Sequence, residues 1–595
     1  MCGICGIKQF KGNLPDNLNN VYRMAKIMKH RGPDDNGFYF DRKNNLGLGF
    51  DRLSIIDLSN SGHQPMHNED KSIWIVFNGE IYNFLDLRKK LSANHKFISQ
   101  TDTEVIIHLY EEQGEKFLQY LEGMFALAIW DQKKQKLILA RDRIGKKPLF
   151  YFYDNNNFIF SSEFRSILAI MPKNKIILDE RTVELWNGFP YLPDNNNTMV
   201  KNIKKIPPGH YLVLKNNKSD IKQYWKLETK PKIASLTFDE AKDRLEKMLT
   251  ESVRKRLVAD VGVGILLSGG LDSSVIAALA SINNHNITTL TASFSDQIDE
   301  SKYAKKVAEH LDTKQLFLHI KPKDVIDEIE KIIWIYDDMS TSDGGLITTH
   351  YLSQEVRKKN IKVVLVGEGA DELFGGYTWF GLGQTPFGIF PQMLKNYFYY
   401  YAIMRSLKPK FYFNYAKILS RHLNEAGRVS YFKKINYNEI CYSLPNHYCM
   451  KVDRGSASAS IEARAPYLDY KVVEFVYNLP DQYKLAGNYF SKHRVNEKYI
   501  LRQIAKKYLP REISDRKKKG GMLPIDKILD TGINKISDYL LDSQGIATKL
   551  YSRSEIEKIL INKKFKPAQW EREWILWRLF LLSVWYKKIF NSRDL

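Results

Sequence analysis

Ile265-Leu266-Leu267-Ser268-Gly269-Gly270-Leu271-Asp272-Ser273-Ser274-Val275-Ile276-Ala277-Ala278-Leu279-Ala280 joins an apolar strand-like run to an apolar helical one through a turn rich in glycine and serine. Glycines let backbone N–H groups approach an anion, serine hydroxyls add donors, and the partial positive charge of a helix N-terminus completes a phosphate cradle. The turn lacks the lysine that reaches the β and γ phosphates in a GxxxxGK loop. Working outward, strand-like runs at 264–267, 288–294 and 362–366 alternate with helices opening at Ser273 and Glu300, a pattern that predicts a parallel sheet covered by helices. The run at 362–366 ends in Gly367-Glu368-Gly369-Ala370-Asp371-Glu372, placing carboxylates at the strand end where open α/β sheets bind ligands.

Upstream of that sheet, as far as about residue 205, short β-type runs such as 73–77 and 137–140 are separated by Gly, Asn and Asp turns, which predicts a β-rich domain with few helices. One helix is expected at 103–113, opening just after Asp102, a suitable N-cap, with Val105, Ile106 and Leu109 on one side. Paired prolines in Ile206-Pro207-Pro208-Gly209 and the polar stretch 215–232 read as a boundary, and the periodicity turns helical from Thr237. The expected domains are 1–210 and 211–595. After Tyr377 the chain becomes helical and aromatic, and 378–448 carries no motif that spacing can interpret.

A chain of 595 residues exceeds what one hydrophobic core organises, so two domains also follow from length. Hydrophobic residues at 44% and charged residues at 27% are ordinary for a globular protein. The formal charge of +22 would suit a nucleic-acid or anionic-membrane surface, but the lysines run along the whole chain, so neither partner is expected. Cys2, Cys5, Cys441 and Cys449 are too sparse for a disulfide framework and imply a reducing, cytoplasmic setting. The opening MCGICGIKQFKG breaks off before any signal-peptide-like apolar run develops, and the apolar stretch 574–586, with Arg578 inside it, is too short to span a bilayer and reads as a buried helix.

Cys2 follows Met1 directly, and removal of Met1 would leave its thiol beside its own free α-amino group. Such an amine titrates near about 8, so one residue can supply both nucleophile and base. Cys2-Gly3-Ile4-Cys5 also reads as a redox or metal CxxC, although Cys441 and Cys449 form no second pair at metal spacing. Downstream stand His30-Arg31-Gly32-Pro33-Asp34, Arg52-Leu53-Ser54-Ile55-Ile56-Asp57, Gly62-His63-Gln64-Pro65-Met66, Asn78-Gly79-Glu80-Ile81-Tyr82-Asn83, Thr101-Asp102-Thr103-Glu104 and Ala140-Arg141-Asp142-Arg143-Ile144-Gly145. In that order these segments resemble the class II glutamine amidotransferase family. The resemblance implies an αββα sandwich of the Ntn-hydrolase type in which Cys2 attacks glutamine. It further implies that Asn78 and Gly79 hold the oxyanion, that Arg52 takes the α-carboxylate, and that Asp102, helped by Glu80, takes the α-ammonium. These residue types suit the task, since opposite charges clamp an amino acid and fixed donors stabilise an oxyanion. Taken singly, Arg52 would read as a surface ion pair, Asp102 as a helix cap and Asn78-Gly79 as a hairpin turn.

The Ser268-Gly269-Gly270-Leu271-Asp272-Ser273-Ser274 turn is similar to the PP-loop of ATP pyrophosphatases (the adenine nucleotide alpha hydrolase-like fold), which cleave ATP between its α and β phosphates. Asp299-Glu300-Ser301-Lys302-Tyr303-Ala304, Lys451-Val452-Asp453-Arg454, Glu462-Ala463-Arg464-Ala465-Pro466-Tyr467-Leu468-Asp469 and Arg516-Lys517-Lys518-Lys519-Gly520 extend the resemblance to asparagine synthetases over both domains. It implies that Leu266, Ser268, Gly269, Gly270, Asp272, Ser273, Ala292 and Gly367 bind ATP and pyrophosphate. Carboxylates beside phosphates call for Mg2+, which assigns Asp272 and Asp371 as its ligands. Glu368 would take a proton from ammonia, and Lys518 would stabilise charge growing on pyrophosphate. The implied reaction passes ammonia between the domains and converts aspartate to asparagine through β-aspartyl-AMP, giving glutamate, AMP and pyrophosphate. A sugar acid or peptide carboxylate is the alternative acceptor, and a homodimer is compatible with the resemblance. The chain departs from the family pattern at Gly521, where Phe is usual, at Val366, where Ser is common, and at Ala292-Ser293.

Overall fold

The computed structural model describes residues 1–11, 15–230, 233, 235–282, 287–294, 301–383, 391–403, 412–487, 496–517, 523–561 and 569–591. Its first domain stacks two antiparallel sheets. One has the order β10-β8-β9-β1-β3-β2, built from β1 (Gly3–Gln9), β2 (Asp35–Asp41), β3 (Leu46–Arg52), β8 (Phe150–Tyr153), β9 (Asn157–Ser161) and β10 (Ile203–Lys205). The other runs β12-β11-β7-β6-β5-β4, from β4 (Met66–His67), β5 (Ile73–Ile81), β6 (Gly123–Asp131), β7 (Lys136–Arg141), β11 (His210–Lys215) and β12 (Lys218–Gln223).

Strand β6 shows why the sheets stack. Alternate side chains of a strand point to opposite faces. Phe125, Leu127 and Ile129 enter the core beneath α2 (Phe84–Leu91) and α3 (Glu104–Gln113), whereas Ala126, Ala128 and Trp130 enter the core between the sheets. With α1 (Pro15–Met28) packing Val21, Met24 and Met28 against Cys5 and Ile7 on the far side, the layers read α, β, β, α.

Two expectations change here. Residues 210–223 do not form a linker: β11 pairs with β7 and β12 pairs with β11, so the sheet continues past 210 through the polar stretch taken for a boundary. Its outer strand is largely exposed, which is why its sequence reads as polar. The helix at 103–113 opens at Glu104, and Thr103 holds the N-cap position. Asp102 instead accepts a hydrogen bond from the Ile81 amide at 2.7 Å.

The second domain opens with α4 (Phe238–Arg256), whose N-cap Thr237 and Glu240 form a reciprocal capping box. Its sheet is wholly parallel, in the order β15-β14-β13-β16-β17, from β13 (Gly262–Leu266), β14 (Thr288–Ser293), β15 (Lys314–His319), β16 (Ile361–Leu365) and β17 (Glu462–Arg464). Helices α5 (Leu271–Ser281), α6 (Ser301–His310), α7 (Gly345–Lys358) and α8 (Cys449–Ala457) accompany it. The alternation therefore stands, with boundaries moved by a residue or two; Asp299 and Glu300 lie outside the described residues. Stretch 574–586 falls in α9 (Gln569–Tyr586) and packs Trp577, Phe580 and Trp585 into the core. Among the described residues no helix is long and apolar enough to cross a membrane.

Candidate active sites

Cys2 stands just before β1, half-buried, with its Sγ receiving the Leu53 amide at 3.5 Å and its carbonyl receiving Arg31 Nε at 3.1 Å. Burial pushes the thiol up to about 11, against the pull of the neighbouring α-ammonium. That α-amine belongs to Met1, which is buried, and desolvation pushes it down to about 5. Burial at this spot thus disfavours the charged form of an amine, and the neutral form is the one a base requires.

The neighbours are arranged around it. Arg52 closes β3, donating to the Ser59 carbonyl at 2.9 Å and to that of Asp57, and Gly62 is needed there because a Cβ would come 1.9 Å from an Arg52 nitrogen. Arg52 is thus buried and loop-bound, and not one half of a surface ion pair. Asn78 and Gly79 lie inside β5 and not in a turn. A Cβ on Gly79 would meet the Met124 carbonyl oxygen at 2.0 Å, while the fully buried Asn78 leaves both side-chain polar atoms without hydrogen-bond partners among the described residues. An orphaned buried amide is costly unless something is meant to meet it. Burial pushes Asp102 up to about 7 and Glu80 well above the usual carboxylate range. Glu462 acts electrostatically on Cys2, Glu80 and Asp102 alike, which puts all three in one place.

Glu462 and Arg464 carry no role in the sequence reading, yet they close this site from the other domain. The fully buried Arg464, on β17, pairs with Glu80 at 2.8 Å and Glu462 at 2.8 Å, and donates to the carbonyls of Arg256 and Val258. Beside them Arg31 reaches Asp453 at 2.9 Å. Both arginine pairs join distant parts of the chain, so no spacing could have signalled them.

The second site grows from the turn between β13 and α5. Gly269 adopts φ +74°, and a Cβ there would lie 2.4 Å from the Ala304 nitrogen. Ser268 Oγ sits 3.0 Å from Ser273 Oγ and accepts the Gly270 amide at 3.2 Å, while Gly270, at the N-cap, has no side chain to cover the first-turn amides of α5. Arg516 donates to the Gly269 carbonyl at 3.0 Å and stacks on Tyr303, anchoring the turn; Lys518 lies outside the described residues.

A cavity of about 300 Å³ opens beside the turn, lined among others by Leu266, Ser268, Asp272, Ser273, Ala292, Gly367, Glu368 and Asp371. Gly269 and Gly270 shape the turn without lining the cavity. Lys498 Nζ bridges Asp272 (2.6 Å) and Asp371 (2.7 Å), and the two carboxylates raise its pKa. Sequence reasoning missed this lysine because nothing in its own segment marks it. Glu368 pairs with Lys451 at 3.2 Å. Glu368, Tyr448 and Val452 also line a smaller cavity of about 30 Å³, which Met124, Lys146 and Lys147 of the first domain line as well.

Residues 1–225 match the family model for a glutamine amidotransferase domain, and residues 244–587 match that for asparagine synthase. The chain belongs to the asparagine synthase family. It is 30% identical to asparagine synthetase (glutamine-hydrolyzing) 1 of Bacillus subtilis (strain 168), covering 98% of this chain and 96% of that one. Asparagine synthetase (glutamine-hydrolyzing) 3 of the same organism is 33% identical over 87% of this chain and 86% of its own length. The amidase chry2 of Gibberella zeae is 29% identical, covering 88% of this chain and 89% of that protein. The two matched domains are those of a glutamine-dependent amidating enzyme, with an amidotransferase half and an ATP-using half.

Proposed function

We propose that Cys2, once Met1 is removed, attacks the side-chain amide of glutamine to form a glutamyl thioester, which water hydrolyses to glutamate. The ammonia released crosses to the second cavity. There the β-carboxylate of aspartate attacks the α-phosphate of ATP, giving β-aspartyl-AMP and pyrophosphate, and ammonia displaces AMP to yield asparagine. The observation that carries this reading is the small cavity lined both by Glu368 of the second domain and by Met124 and Lys147 of the first. At about 30 Å³ it has room for a molecule the size of water or ammonia. Because ammonia is mostly protonated in neutral water, a passage out of solvent keeps it nucleophilic.

In the first site the unpartnered Asn78 amide and the Gly79 N–H would hold the oxyanion, with Arg52, Asp102 and Glu80 orienting glutamine. In the second, the turn amides and Ser268 and Ser273 would cradle phosphates, and Glu368 would accept the ammonia proton. Asp272 and Asp371 fit a Mg2+ ligand pair because they converge closely enough to share one cation, now the Lys498 ammonium. The metal would offset phosphate charge there, freeing Lys498, with Lys518, to neutralise pyrophosphate. Four free cysteines support action in the reducing cytoplasm.

The test is Cys2→Ala. It should abolish asparagine and AMP formation from glutamine while leaving both intact with ammonia, aspartate and Mg-ATP. Surviving glutamine turnover would overturn the first half, and no AMP from aspartate plus ammonia would overturn the second. Similarity to a protein named an amidase favours one further reading, the same chemistry on another carboxylic acid; AMP release with other acids in place of aspartate decides between them.

A further inference from the structure

Away from both cavities, four side chains from separate segments converge on the first domain. Glu69 comes from the turn between β4 and β5, His95 from the loop after α2, and His108 and Glu111 from one face of α3. One ligand atom of each lies within 4.8 Å of the others. The two imidazoles stack at 4.4 Å, and both turn Nδ1 toward the same oxygen, Glu111 Oε2, at 3.5 Å for His95 and 2.9 Å for His108. Each outer nitrogen faces a different carboxylate: His95 Nε2 lies 3.4 Å from Glu112 and His108 Nε2 lies 3.8 Å from Glu104. The second oxygen of Glu111 is held by Asn68 Nδ2 at 2.8 Å.

An imidazole with its inner nitrogen on a shared focus and its outer N–H toward a carboxylate is the arrangement that fixes a metal-ligating histidine. Here both imidazoles converge with the carboxylates of Glu111 and Glu69, and each outer nitrogen, though it makes no hydrogen bond among the described residues, stands at ion-pair distance from a further carboxylate. We propose that Glu69, His95, His108 and Glu111 bind one zinc-like divalent transition-metal ion. Two nitrogen and two oxygen donors suit zinc and cobalt better than calcium or magnesium, which prefer all-oxygen sites. Two carboxylates also cancel the charge of one such ion. Donors around a tetrahedral zinc stand about 3.4 Å apart, so the exposed Glu69 has the freedom to close the shell. The ion would clamp the turn after β4 and the loop after α2 to α3, whose first residue follows Asp102 and Thr103.

The experiment uses the full-length, untagged protein, stripped of metal and titrated with Zn2+ and with Co2+ in excess Mg2+. One equivalent per chain is expected, and it should be lost in both His95→Ala and Glu111→Gln. His95→Cys should restore Co2+ binding and add a sulfur-to-cobalt charge-transfer band, a readout that a merely misfolded variant cannot give. Failure to bind one equivalent, binding unchanged in His95→Ala and Glu111→Gln, or a His95→Cys protein without that band would each overturn the site.

Discussion

The cavity beside the Ser268 turn takes Leu266, Ser268, Asp272 and Ser273 from one strand, turn and helix, whereas the Cys2 site gathers Arg52, Asn78, Glu80 and Asp102 from separate elements and is then closed by Arg464 of the other domain. The local design gets its geometry from backbone: two glycines and a helix start suffice. The dispersed design gets its geometry from buried charge, and buried charge is stable only while every partner is present. The first site is therefore the more fragile in energy and the more dependent on the rest of the chain.

Arg464→Ala puts that contrast under the greatest strain. It takes from the buried Glu80 and Glu462 the cation that contacts them both, leaving the weaker pull of Lys147, and removing one partner of such a group costs about 3–5 kcal/mol. Urea unfolding should show a loss of that size, and glutamine hydrolysis should fall with it. A variant that unfolds like the parent would mean that the two carboxylates are already neutral, and the contrast between the sites would fail.

Gly269→Ala probes the local design, with a smaller cost in stability. At φ +74° and 2.4 Å from the Ala304 nitrogen an added methyl is both strained and obstructed, at about 1–3 kcal/mol. ATP-dependent AMP formation should collapse while glutaminase activity persists. Equal loss of both activities would show that the turn supports more than its own cavity.

How much of this could be read in advance follows the same division. The strand, turn and helix around Ser268 lie within a residue or two of their expected bounds, because hydrophobic periodicity and glycine placement are local signals. That the sheet runs on past 210 is hidden for a local reason too: β12 is largely exposed, and polar at all positions but Ile221, so it looks like a linker. Asp102 preceded a helix and so passed for its cap, although its partner, the Ile81 amide, lies on a strand of the adjacent sheet. Arg464, Lys451 and Lys498 matter through residues hundreds of positions away or in another element, and periodicity carries no information about such pairs.

The gentlest probe of the dispersed site is pH. Burial raises Asp102 from the ordinary carboxylate range to about 7, so the folded protein holds a proton there that the unfolded chain gives up near 4. Its contribution to stability is therefore full below about pH 4 and is lost as pH rises through 7. In the role proposed for it, holding a substrate ammonium, Asp102 must be ionised, so the KM for glutamine should rise by up to about tenfold per pH unit below 7, as expected for one proton. The ammonia-dependent reaction, as proposed, does not use Asp102 and should lack this limb. Asp102→Asn should weaken glutamine binding at every pH and flatten its dependence, while gaining stability over the parent at pH 8 and none at pH 4. A parent KM that is flat between pH 6 and 8 would mean that Asp102 is ionised throughout, and that the nearby Arg464 governs its charge more than burial does.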